Sequence, residues 1–106
     1  MTTFDKREVG FERKFALDEE LKFKSEARRN RLLGLWAGEQ LGLSGDAAKT
    51  YASEVVAADF EAGRDGVARK VTDDLAAGGI TIPDDKLRDK MAQLLVLAVA
   101  QVQAGN

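Results

Sequence analysis

Glycine and proline divide this chain into segments whose lengths suit only a small helical domain. The breaks lie, in order, at Gly42 with Gly45, Gly63 with Gly66, and Gly78 with Gly79, ahead of the only proline, Pro83. Alanine and leucine supply over half of the apolar residues between these breaks, which favours helices over strands. The pattern predicts helices at 18–41, 44–62, 65–77 and 84–104. We therefore expect an all-α fold, a four-helix bundle over residues 18–106.

Composition excludes most kinds of catalytic and metal site. The chain has 106 residues, one domain's worth, and contains neither cysteine nor histidine. Disulfides, thiolate or imidazole metal sites and Ser–His–Asp triads are therefore impossible. The net charge of −2 disfavours nucleic acid as a partner. The longest apolar run, 94–100, is far below the ~20 residues of a membrane span. We expect a monomer without cofactor, catalytic residue or membrane insertion.

Apolar spacing predicts which sides of the helices are buried. The first helix carries one apolar side, made by Leu21, Leu32, Leu35 and Trp36. Its flat side carries Gly34, Ala37 and Gly38, and we expect a second helix to approach closely there, with a hinge as the alternative. The segment 65–77 places Val67, Val71 and Leu75 at four-residue spacing. The last segment is apolar nearly all round in its second half, which predicts the most buried element of the bundle.

Residues 1–17 do not fit the bundle pattern. Phe4, Phe11 and Phe15 fall within about 40° of one another on a helix, in a highly charged background. Because this stretch is short and contains Gly10, it should be marginally helical alone in water. Two interpretations remain open. The phenylalanines complete the bundle core, or residues 1–17 form a mobile segment that folds into a helix on a partner.

The densest basic run of the chain follows this segment on the first predicted helix. It consists of Lys22, Lys24, Arg28, Arg29 and Arg31. Such a run is typical of a solvated helix face, and attachment to an acidic protein surface is the alternative. No interleaved aromatic residues suited to base stacking accompany it.

Several blocks of the chain resemble one family. They are TFDKRE at 3–8, FERKFA at 11–16, DEEL at 18–21, ARRNRLLGLWA at 27–37 and YASEVVAADF at 51–60. Together they resemble the bacterial zeta subunit, the small inhibitor of the rotary F-type ATP synthase in alphaproteobacteria. The resemblance implies a four-helix bundle whose N-terminal segment enters a catalytic alpha/beta interface as a helix and reaches toward the gamma subunit. Pro83 stands where relatives are expected to have a capping serine, which leaves the start of the last helix open.

The resemblance also implies the inhibitory positions and the place of action. The matching positions are Phe4, Asp5, Arg7, Glu8, Phe11, Glu12, Arg13, Lys14 and Phe15. The implied location is the cytoplasm, at the inner face of the plasma membrane, where the ATP synthase head lies. The first bundle helix would supply further contacts. A small helical adaptor or nucleotide-sensing module without inhibitory activity is the alternative function.

Overall fold

The computed structural model describes the backbone of residues 2–105 and the side chains of residues 18–105. Within that part of the chain the fold is all-helical, with α1 at Thr2–Gln40, α2 at Gly45–Ala77 and α3 at Asp84–Gln103. The turn between α1 and α2 begins where the N–H of Leu43 donates to the carbonyl oxygen of Gly38 at 2.8 Å. The connection from α2 to α3 passes through Gly78 and Pro83, as the glycine and proline pattern predicts.

The prediction of four helices is wrong, because 44–62 and 65–77 belong to a single helix with a kink. Gly63 has φ 70° and ψ −170°, a backbone conformation that is almost confined to glycine. The chain resumes helical geometry directly after this residue, so no loop separates the two arms of α2. An ion pair of 3.0 Å between Asp65 and Arg88 joins the second arm to α3.

The core lies where both arms of α2 and one side of α3 pack on α1. Its fully buried side chains include Leu33, Val55, Val67, Val71, Leu75 and Leu87, which confirms the predicted spacing at 67, 71 and 75. On α1 the predicted apolar side is only partly buried, whereas the predicted flat side with Ala37 is buried. Leu33 and Ala37 are fully buried, whereas Leu21, Leu32, Leu35 and Trp36 are only partly buried. Trp36 lies at the edge of the core, with the Lys90 ammonium 5.4 Å from its ring centre.

Close approach at the flat side of α1 is confirmed. A Cβ atom added at Gly34 would lie 2.6 Å from the Cα of Ala52, which is closer than two carbon atoms can sit. The absence of a side chain at Gly34 therefore lets α1 and α2 pack backbone against backbone. On the facing side of α2, Ala52 and Val55 are completely buried.

The last helix begins at Asp84, directly after Pro83, where the helix predicted at 84–104 also begins, and this settles the start that the sequence left open. The prediction that α3 is the most buried helix is wrong. Leu87, Met91 and Ala98 are buried, but Val96 is 73% exposed and Leu97 is 46% exposed. The reason is that α3 packs mainly against α1 and touches α2 little, so its far side faces solvent. No helix of the described chain is both long and apolar enough to cross a membrane.

Candidate partner-binding surface

The nine positions predicted to bind a partner lie in the N-terminal half of α1. They are Phe4, Asp5, Arg7, Glu8, Phe11, Glu12, Arg13, Lys14 and Phe15, and their side chains fall outside the described residues. Helix α1 spans Thr2–Gln40, so these positions and the bundle contacts of α1 belong to one helical element. Whether residues 1–17 form a separate mobile segment stays a prediction.

The N-terminal part of α1, before Ser25, is called the N-terminal arm. The described surface begins at the base of this N-terminal arm, at residues 18–24. Six of the seven side chains at 18–24 are exposed, and the other, Leu21, is half-buried. A salt bridge of 2.8 Å joins Glu20 to Lys24 across one helical turn. The hydrogen bond from Lys24, assisted by its charge, holds the pKa of the Glu20 carboxyl below its usual value. Since both side chains are more than half exposed, this pair orders the helix surface rather than stabilising the fold appreciably.

The arm joins the bundle at a buried polar cluster. Ser25, Arg29 and Asn30 are each at least 97% buried, and Arg29 Nε donates to Asn30 Oδ1 at 2.9 Å. Burial lowers the pKa of the Arg29 guanidinium, an effect that the nearby carboxylates Glu26 and Asp59 oppose. The guanidinium remains charged at neutral pH because the ordinary pKa of arginine lies far above neutrality. Arg29 therefore belongs to the helix junction, and the basic run is not simply a solvated face.

An aromatic pair lies next to this junction, and the sequence analysis did not single it out. The rings of Phe23 and Phe60 have their centres 6.5 Å apart, at an interplanar angle of 56°. Phe23 is 59% exposed and Phe60 is 72% exposed, so α1 and α2 together present a solvent-exposed aromatic surface. Exposed aromatic side chains are enriched where proteins bind other proteins. The signal in the sequence was Phe23 itself, an aromatic residue at a polar position between Lys22 and Lys24.

The described side chains form candidate binding surfaces on the outside of the helices. Among residues 18–105, no group of three acidic side chains is arranged to hold a metal ion. Among the described side chains, the buried polar residues are Ser25, Arg29 and Asn30, which lie at the helix junction. The exposed side chains at 18–24, the aromatic pair and the basic flank are features typical of protein-binding surfaces.

Comparison with known proteins decides the family. The family model described as ATPase inhibitor subunit zeta matches residues 1–101 of the chain. The chain belongs to this family. A solved structure described as a solution NMR structure is 48% identical to it, with a TM-score of 0.69. The alignment covers 81% of this chain and 99% of that one. No curated protein matches the chain significantly.

Membership in this zeta family has direct consequences for function. The resemblance read from the sequence blocks is confirmed, and the match extends over nearly the whole chain. An ATPase inhibitor subunit is a regulatory component, so the family implies an inhibitory role and association with the ATP synthase. The match includes the nine N-terminal positions predicted to bind. Their individual roles stay a prediction.

Proposed function

We propose that this protein inhibits ATP hydrolysis by inserting its N-terminal segment, as a helix, into a catalytic alpha/beta interface of the F-type ATP synthase. The segment comprises residues 1–17, and its contacts are the nine positions named above, with its tip directed toward the gamma subunit. The observation that carries the proposal is the geometry of α1. This helix begins at Thr2, yet the first buried side chain in its described part is Ser25.

The length of the N-terminal arm suits a helix that inserts between two subunits and blocks their movement, which we call a wedge. At 1.5 Å per residue, the part of α1 before Ser25 spans about 34 Å, comparable with the diameter of a small domain. Rotary hydrolysis requires each catalytic interface to open and close in turn. A helix ordered inside one interface opposes that cycle by binding one of its states more tightly than the others. The bundle stays outside the interface in this proposal and keeps the inserted helix in place.

The aromatic stripe supplies the binding energy in this proposal. If residues 1–17 become ordered only on the partner, each residue costs roughly 1–2 kcal/mol of backbone entropy. Phe4, Phe11 and Phe15 offset this cost by burying large apolar surfaces on one side of the helix. The charged residues between them set orientation and register through pairs at the rim. The protein acts as a monomer in the cytoplasm, at the synthase head on the inner face of the plasma membrane.

The test is inhibition of ATP hydrolysis by the isolated synthase head of the same organism. The wild-type protein should lower the rate with a saturable dose dependence. The double variant Phe11→Ala with Phe15→Ala should require at least about tenfold more protein for half-inhibition, because aromatic anchors dominate such interfaces. The matched control is Val9→Ala, an apolar truncation on another side of the same helix. Wild-type protein that does not inhibit would instead support an adaptor or nucleotide-sensing role.

A further inference from the structure

A groove of about 610 Å³ lies where the base of the arm meets α2 and the end of α3. Its apolar surface is made by one residue pair on α1, Phe23 with Ala27, and by Val56 of α2 and Val102 of α3. Phe23 is 59% exposed, and the other three side chains are half-buried. All three helices therefore contribute to one open apolar depression beside the arm.

One side of this groove is basic. Lys24, Arg28 and Arg31 line it from consecutive turns of α1. Lys24 already pairs with Glu20, whereas Arg28 donates to a neutral acceptor, Gln101 Oε1, at 3.2 Å. Within the described part of the chain, neither Arg28 nor Arg31 forms a salt bridge with a carboxylate. Two guanidinium groups are thus available beside an apolar floor, in the fork geometry that carboxylates match.

The charge of the groove argues against this chain's own N-terminal segment as its occupant. Between Asp5 and Lys14 that segment carries four basic and three acidic residues, so it does not complement a basic wall. The same charge argument applies to the N-terminal segment of a second copy. The complementary ligand has an excess of carboxylates and at least one apolar side chain for the floor.

We propose that the groove binds an acidic segment of the ATP synthase head, one that carries an apolar side chain between its carboxylates. This inference rests on the proposed function, which brings the bundle against the head when the arm is inserted. Carboxylates of the partner pair with Arg28 and Arg31, and the apolar side chain packs on Phe23 and Val56. The contact holds the bundle against the head and slows withdrawal of the arm. It also gives a role to Arg28 and Arg31, which take no part in the insertion of the N-terminal segment.

The first test measures the dissociation constant of the protein and the synthase head with matched variants. Arg31→Glu should weaken binding about tenfold, since it places like charges in contact, and the loss should shrink as salt increases. Lys49→Glu makes the same charge change at an exposed position outside the groove and should have little effect. Phe23→Ser should weaken binding, whereas Val96→Ser, at a more exposed apolar residue away from the groove, should not. Circular dichroism verifies that each variant is folded.

The second test identifies the segment in the groove. Ser53 is an exposed lining residue, and it can be replaced by a photoreactive benzoylphenylalanine in the full chain. Irradiation of the complex should attach it to a segment of the head that contains Asp or Glu beside an apolar residue. Crosslinks only to a second copy of this chain, or to a segment without acidic residues, would overturn the proposal.

The two tests separate failure of this inference from failure of the proposed function. Wild-type protein that does not bind the head contradicts the inhibitor role itself. Wild-type protein that binds and inhibits, with Arg31→Glu and Lys49→Glu equally tight, overturns the groove alone.

Discussion

The hydroxyl of Tyr51 donates a hydrogen bond of 2.8 Å to Asp74 Oδ2, across the kink of α2. The two residues lie on different arms of this helix, on either side of Gly63. Lys70 joins them, with its ammonium 3.1 Å from the same carboxylate oxygen and 5.4 Å from the centre of the Tyr51 ring. The three side chains therefore fix the angle between the arms, on which the position of the second arm against α1 depends.

Removal of the Tyr51 hydroxyl should weaken the fold. Tyr51→Phe keeps the ring of a residue that is 92% buried and loses only the hydrogen bond to Asp74. The expected loss is about 1 kcal/mol of unfolding free energy, measured by urea denaturation. Ser53→Ala is the control, because it removes an exposed hydroxyl that bonds only to the Lys49 carbonyl oxygen. An unchanged midpoint for Tyr51→Phe would show that the bond does not tie the arms together.

The same residue predicts how stability falls in alkali. Burial, followed by the bond to Asp74, raises the pKa of the Tyr51 phenol above its usual value near 10. The folded state therefore holds this proton more tightly than the unfolded state does. The resulting stabilisation is complete below about pH 10 and is lost as the pH rises further. Because the chain has one tyrosine, phenolate absorbance reports it alone. Ionisation with an ordinary pKa in the folded protein would contradict this prediction.

Two glycines of α1 should respond in opposite ways to the same substitution. Gly34→Ala drives a Cβ against the Ala52 backbone and should cost about 1–3 kcal/mol of stability. Gly38→Ala meets its nearest neighbours at 3.7 Å, an ordinary contact distance. It should therefore gain roughly 0.5–1 kcal/mol from helix propensity. Thermal melting of the pair measures both. If the two variants had the same melting temperature, close packing would not explain why position 34 is a glycine.

The buried polar cluster predicts a stabilising substitution. Ser25 Oγ is buried and has no hydrogen-bond partner among the described residues. Ser25→Ala should therefore leave stability unchanged or raise it by up to about 1 kcal/mol, since it removes an unsatisfied polar group. Asn30→Ala also removes a buried group without a described partner, Nδ2, but it should destabilise by about 1–3 kcal/mol because the charged Arg29 Nε loses its buried acceptor. A marked loss of stability on Ser25→Ala would reveal a partner for that hydroxyl.

The sequence predicted the helix ends better than the helix faces. Pro83 and the glycines act through local backbone geometry, so the turns could be read directly, and the structure then places the start of α3 at Asp84. At Gly63 the same local signal predicted a loop, whereas one non-helical residue was enough to redirect the chain. Local sequence shows where a helix is interrupted, but contacts such as Tyr51 to Asp74 decide whether its arms stay joined.

Buried faces depend on neighbours, which periodicity does not specify. In α1, Leu33 and Ala37 became the core because the close approach at Gly34 brings α2 to that side. In α3, the apolar run at 94–100 predicted burial all round, but only α1 covers the helix extensively. The pairing of Phe23 with Phe60 and the groove beside it join residues far apart in sequence. Such juxtapositions require the tertiary fold.

Deletion of residues 1–15 tests the central claim most directly, with two measurements on one variant. The first buried side chain in the described part of α1 is Ser25, so the shortened protein should keep its melting temperature and its helical bundle. It should no longer inhibit ATP hydrolysis by the synthase head, while the full-length protein does. A large fall in melting temperature would place Phe4, Phe11 and Phe15 in the core. Full inhibition by the shortened protein would contradict the wedge.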